Sequence, residues 1–154
     1  MEPVQSGGTP FLANGQSGAL YPPRVLLGLT TGPAATHDLF MALHVFLSGV
    51  VTFALMKELR VCFAGAFLAG VAWMFSSYNW AWLQLEHAAV MAVALPGGLW
   101  LLRRAARRRS LPLGRARGVP LGLLVLGGNL QVTVVVWVVC LTYSIALAAD
   151  LARR

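Results

Sequence analysis

Few residues in this chain have side chains that could do chemistry, and most of them stand at the edges of apolar runs. His37, Asp38 and His44 come first; positions 37, 41 and 44 share one helix face, so a metal or proton site is conceivable there. A metal site usually needs three ligands of fixed geometry, and the alternative is a helix-start aspartate with one histidine hydrogen-bonded inside a bundle. Glu86 and His87 are adjacent, and a carboxylate beside an imidazole can serve as a general base. Equally, an acidic residue there favours a helix N-terminus. Asn129 and Gln131 follow Gly127-Gly128, where a helix break would free backbone groups to face a cavity or would merely serve packing. Asn14, Gln16 and Tyr21 lie among glycines and prolines; amides and an aromatic face can hold a sugar, although the same residues are ordinary turn formers.

The elements that must position these groups follow from composition. Of 154 residues, 58% are hydrophobic and 11% charged, with a mean hydropathy of +0.71. Soluble domains run at about 25% charge, and a soluble chain of this length leaves about a third of its surface exposed. The composition predicts an all-α, multi-pass membrane bundle of about four to five membrane segments behind a polar N-terminal loop. Disorder is excluded by the same arithmetic.

Residues 1–37 read as a loop with one short helical turn near Leu26–Leu29, and no signal-peptide pattern. Spans are expected over about 38–56, 61–83 and 86–102, the last with a kink or break at Pro96-Gly97-Gly98. The run 119–149 exceeds one crossing and falls short of two, so we expect a short element over 119–128 and a full span over 131–149; a single long tilted helix is the alternative. Gly65, Ala69, Gly70 and Ala72 suit close helix approach, and Tyr78, Trp80 and Trp82 suit a headgroup belt.

Seven of twelve basic residues (Arg103, Arg104, Arg107, Arg108, Arg109, Arg115 and Arg117) crowd into 103–118, which is therefore expected to be cytoplasmic. Residues 1–37 and 79–87 then lie outside, and Lys57 and Arg60 inside. The net charge of +7 is thus a topology signal; with no soluble module to present it, nucleic acid is not an expected partner. Cys62 and Cys140 lie in apolar runs without metal-type spacing. No nucleotide-binding, serine-hydrolase or zinc-protease motif occurs.

The order of several short motifs resembles one family. GTPFLANGQSGALYPP (Gly8–Pro23) is similar to the first large external loop of YfhO-like bacterial membrane proteins, which resemble GT-C-type glycosyltransferases using polyprenyl-phosphate sugars. Leu43-His44 with Ser48-Gly49, the run Phe67–Ser76, His87 with Ala94-Leu95-Pro96, and Gly127-Gly128-Asn129-Leu130-Gln131 resemble later family elements in the same order. Asn129 stands where relatives often carry His, and the family's first helix and early acidic residue have no counterpart, so a fragment is expected.

The resemblance implies sugar transfer from a polyprenyl-phosphate carrier at the external face of a bacterial inner membrane, with a loop carboxylate or a divalent metal assisting. Glu2, the sole carboxylate in 1–37, has no matching surroundings, so no catalytic residue is assigned and the chain is expected to be inactive alone. The substrate-binding candidates are Asn14, Gln16, Tyr21, His44, Glu86, His87 and Gln131. The alternative is a small non-enzymatic membrane protein that packs against partner membrane helices or stabilises their complex.

Overall fold

The computed structural model describes residues 18, 20–82, 85–108, 122–123, 125–127 and 129–152. Asn14, Gln16 and most of the arginine-rich segment lie outside them. The elements are helices: α1 (Pro22–Thr30), α2 (Pro33–Glu58), α3 (Phe63–Met74), α4 (Ser77–Ala81), α5 (Glu86–Arg108) and α6 (Leu130–Ala152). Ala35–Glu58, Glu86–Arg107 and Leu130–Asp150 are long and apolar enough to cross a bilayer, which makes this a membrane protein.

Prolines start the first two helices, at positions where a missing N–H costs nothing. α2 is polar at depth, with His44, Ser48 and Thr52 buried, but each group is satisfied close by. Ser48 donates to the Val45 carbonyl at 2.7 Å and Thr52 to the Ser48 carbonyl at 2.7 Å.

α2 and α5 run antiparallel. Glu86, at the start of α5, meets His37 at the start of α2, while Arg107 meets Glu58 at the opposite end. α6 runs parallel to α5, because Gly18 adjoins both Gly127 and Arg24 at the first end, where Arg24 meets Glu86, and Tyr143 adjoins Arg103 towards the second. The end of α5 at Arg108 and the start of α6 at Leu130 therefore lie at opposite ends of the bundle. Gly127 sits in a turn and helix α6 begins at Leu130, with Asn129 Oδ1 accepting the Val132 N–H at 3.1 Å.

The segment expected as one span over 61–83 is two helices. α3 has 12 residues, about 18 Å of rise, short of the ~30 Å apolar core of a bilayer. It ends at Met74 because Ser76 caps α4 by accepting from the Asn79 N–H, and the Asn79 amide donates to the Trp73 carbonyl at 2.7 Å and the Met74 carbonyl at 3.3 Å. Before ending, α3 presses on α2 where Gly49 faces Gly70; a Cβ on Gly70 would lie 2.8 Å from the Gly49 carbonyl oxygen. Helix α5 continues unbroken through Pro96.

Candidate functional site

Two adjacent hollows lie at the end of the bundle where α1, α2 and α5 meet. The smaller, about 370 Å³, is polar: Arg24, Thr31, Thr36, His37 and Glu86 line it beside Gly28 and Pro33. The larger, about 730 Å³, is mostly apolar and open, walled by Met41, Val45, Phe46, Met74 and Trp80, with His37, Asp38 and Asn79 among its polar members. The larger hollow exists because α3 stops short. Its last turn and α4 form an elbow beside which Asp38, Ala42 and Phe46 of α2 stay exposed. His37 belongs to both hollows.

Glu86 is the centre of the polar cleft. One carboxylate oxygen accepts from Arg24 Nη1 at 2.9 Å and the other lies 3.1 Å from His37 Nδ1. The side chains are partly exposed, 32% for Arg24 and 21% for Glu86, so the pair is only partly screened by water. No hydrogen bond joins Glu86 to its sequence neighbour His87 among the described residues. Consecutive residues on a helix point about 100° apart, and Glu86 turns instead to partners from α1 and α2. Both carboxylate oxygens are thus engaged by groups from α1 and α2, which makes Glu86 an organiser of the cleft.

Tyr21 and His44 form a second, buried arrangement. The backbone N–H of Tyr21 donates to the Gly18 carbonyl at 3.0 Å, and this turn carries the phenol into the bundle. Gly18 has φ +55°, a conformation that suits glycine, and a Cβ there would lie 3.3 Å from the Gly127 carbonyl oxygen. His44 Nδ1 lies 2.8 Å from the Phe40 carbonyl, which can only accept, so Nδ1 carries the proton. Nε2 is then the acceptor, and the Tyr21 hydroxyl donates to it at 3.0 Å. The Phe40 ring stacks on His44 with centroids 4.0 Å apart. Both ring nitrogens of His44 are engaged, and burial pushes the Tyr21 phenol up to about 12.

Gln131 is exposed in the first turn of α6. Asp38, weighed from sequence with the histidines, sits exposed at the rim of the apolar hollow. Among the described residues no three His, Cys, Asp or Glu side chains come together to hold a metal. The Glu86–His37 pair does not fit a divalent cation, because Arg24 already places a positive charge on the second carboxylate oxygen. The residues that sequence reading missed are Arg24 and Trp80; Arg24, one of only two charges in 1–37, was the available signal.

Comparison with known protein families, curated proteins and solved structures gives no match.

Proposed function

We propose that this chain is a glycosyltransferase-like membrane module that holds a polyprenyl-phosphate sugar at the external face of a bacterial inner membrane and does not transfer the sugar alone. The observation that carries this reading is the meeting of the two hollows at His37. A polar cleft with a guanidinium abuts an apolar groove, which matches the two halves of a lipid-linked phosphosugar. The Arg24 guanidinium supplies donors to the phosphate, and the groove beneath Asp38 receives the chain. The ordered motifs resembling YfhO-like proteins support the same substrate class. Transfer needs an available acid–base group or metal, and both oxygens of Glu86 are occupied by Arg24 and His37.

The purified chain in lipid nanodiscs, titrated with an undecaprenyl-phosphate hexose, provides the test. Binding should weaken about tenfold in Arg24→Gln, the loss of one charge-assisted phosphate contact, and no sugar should be released. Phosphate-free undecaprenol should bind wild type and Arg24→Gln alike, both weakly. If undecaprenol binds as tightly as the phosphosugar, the cleft is not a phosphate site. Sugar release that stops in Glu86→Gln would show that Glu86 acts as a base after all.

A second reading, a non-enzymatic protein that packs with partner membrane helices, is favoured by α6. Only 17% of its span is buried within the bundle, against 39% for α2 and 56% for α5.

A further inference from the structure

The opposite end of the bundle carries a charge imbalance that the donor site does not use. Lys57 and Arg60 stand at the end of α2 and Arg103, Arg104 and Arg107 collar the last turns of α5, while the carboxylates there are Glu58 and Asp150. Arg107 is matched: its Nη1 lies 3.2 Å from Glu58 Oε1 and also donates to the Glu58 carbonyl at 3.0 Å. Arg103 is not. Its Nη1 donates to the neutral Tyr143 hydroxyl at 3.3 Å, and its Nε is buried without an acceptor among the described residues. The Arg104 guanidinium lies over the Trp100 ring at 5.4 Å, a contact that orients the charge without cancelling it. A half-buried arginine at the edge of a membrane is costly unless an anion answers it.

The surroundings say what kind of anion fits. Arg103 and Tyr143 mark the seam between α5 and α6, and α6 is the least covered of the three spans. Val139 and Val135, one and two turns before Tyr143 on the flank of α6 beside it, are 40% and 50% exposed. A soluble anion would meet the guanidinium but leave this aliphatic surface bare. A phospholipid with a net negative headgroup satisfies both, because its phosphate reaches the helix end while its acyl chains run along α6.

We propose that the α5–α6 seam at Arg103 and Tyr143 is a binding site for an anionic phospholipid. The phosphate sits on the Arg103 guanidinium, Arg104 flanks it from the next position of α5, and the acyl chains lie against α6. Lys57 and Arg60 contribute only to the general positive field at this end. The site is remote from Arg24 and Glu86 and stands whether or not a sugar donor binds there.

Native mass spectrometry of the full chain, with phosphatidylglycerol and phosphatidylcholine offered in equal amounts, tests this site. Wild type should retain phosphatidylglycerol with about tenfold preference, and Arg103→Gln should reduce that to about twofold or less. Lys57→Gln removes the same unit of charge from the same end and should lower the preference less than about twofold. In wild type the preference should decline between about 50 mM and about 0.5 M salt, which keeps the test available if Arg103→Gln fails to fold. Inorganic phosphate at about 10 mM should leave the lipid in place, since it lacks the chains that contact α6. Equal retention of both lipids, a Lys57→Gln loss as large as that of Arg103→Gln, salt-independent preference, or displacement by inorganic phosphate would each overturn the proposal.

Discussion

Trp73 supplies the hydrogen bond that Pro96 withholds. A carbonyl inside a helix normally accepts from the N–H four residues on, and for Ala92 that residue is Pro96, which has none. The Trp73 indole N–H donates to the Ala92 oxygen at 2.9 Å from α3, so α5 passes its proline with the orphaned carbonyl satisfied. Trp73→Phe should therefore destabilise the bundle by about 1–3 kcal/mol, the cost of an unsatisfied buried carbonyl. Pro96→Ala restores the internal donor, so Trp73→Phe should cost much less in that background. A double-mutant cycle on thermal unfolding checks this; additive losses would separate the two residues.

The proline was visible in the sequence but its partner was not, and the same holds for much of the site. The three long spans could be read from apolar runs, and the turn before α6 from Gly127-Gly128-Asn129, because these signals are local. The division of 61–83 was hidden. Its apolar run continues through Phe75, and the features that end α3 are one serine cap and one asparagine reaching back to two carbonyls. Glu86 and His44 stood out as polar residues in apolar surroundings, yet their partners lie 49 and 23 residues away, so only folding pairs Glu86 with His37 and His44 with Tyr21. The apolar groove is less legible still, since it arises from where α3 ends rather than from any motif.

Gly70 and Gly28 should respond in opposite ways to alanine. A Cβ at Gly70 would meet the Gly49 carbonyl oxygen at 2.8 Å, so backbone must move and α2 must separate from α3. The expected loss for Gly70→Ala is about 1–3 kcal/mol. Gly28, inside α1, has nothing within 4 Å of a Cβ, and Gly28→Ala should stabilise by about 0.5–1 kcal/mol. Unfolding midpoints in detergent decide both.

Alkaline pH should loosen the packing of the Gly18–Tyr21 turn against α2 through Tyr21. A phenol with a pKa of about 12 in the fold and about 10 in the unfolded chain favours folding while it is protonated. Its contribution is complete below about pH 10 and lost as pH rises towards about 12. Tyr21→Phe lacks both the donor to His44 and this pH dependence. Its stability should be lower at neutral pH and flatter across that window, as followed by thermal unfolding at stepped pH. A wild-type profile no steeper than that of Tyr21→Phe would remove Tyr21 from the account.

Asn129 should act as a helix cap. Its Oδ1 accepts the Val132 N–H at 3.1 Å, so Asn129→Ala should cost about 1 kcal/mol and Asn129→Asp much less. Gly18 closes the same region from the other side. Gly18→Ala forces a side chain into a left-handed conformation 3.3 Å from the Gly127 carbonyl, and should cost more than about 1 kcal/mol. Proteolysis of the N-terminal segment should then accelerate in Gly18→Ala and not in Asn129→Asp.

Orientation in the membrane can be read from a native residue. Cys62 is exposed beside Lys57 and Arg60, at the end of the bundle that carries Arg103, Arg104 and Arg107, whereas Cys140 is buried. Basic residues collect on the cytoplasmic side, because moving them across the membrane during insertion is unfavourable. Cys62 should therefore resist an impermeant maleimide in intact cells and react once the membrane is permeabilised. Thr31→Cys, placed in a Cys62→Ser, Cys140→Ser background, reports on the opposite end, where Thr31 lines the polar cleft with Arg24 and Glu86. It should label in intact cells at the rate expected for a part-buried thiol. Labelling of Cys62 in intact cells with none at Thr31→Cys would invert the bundle, and the cleft would then face the cytoplasm, away from any donor presented outside.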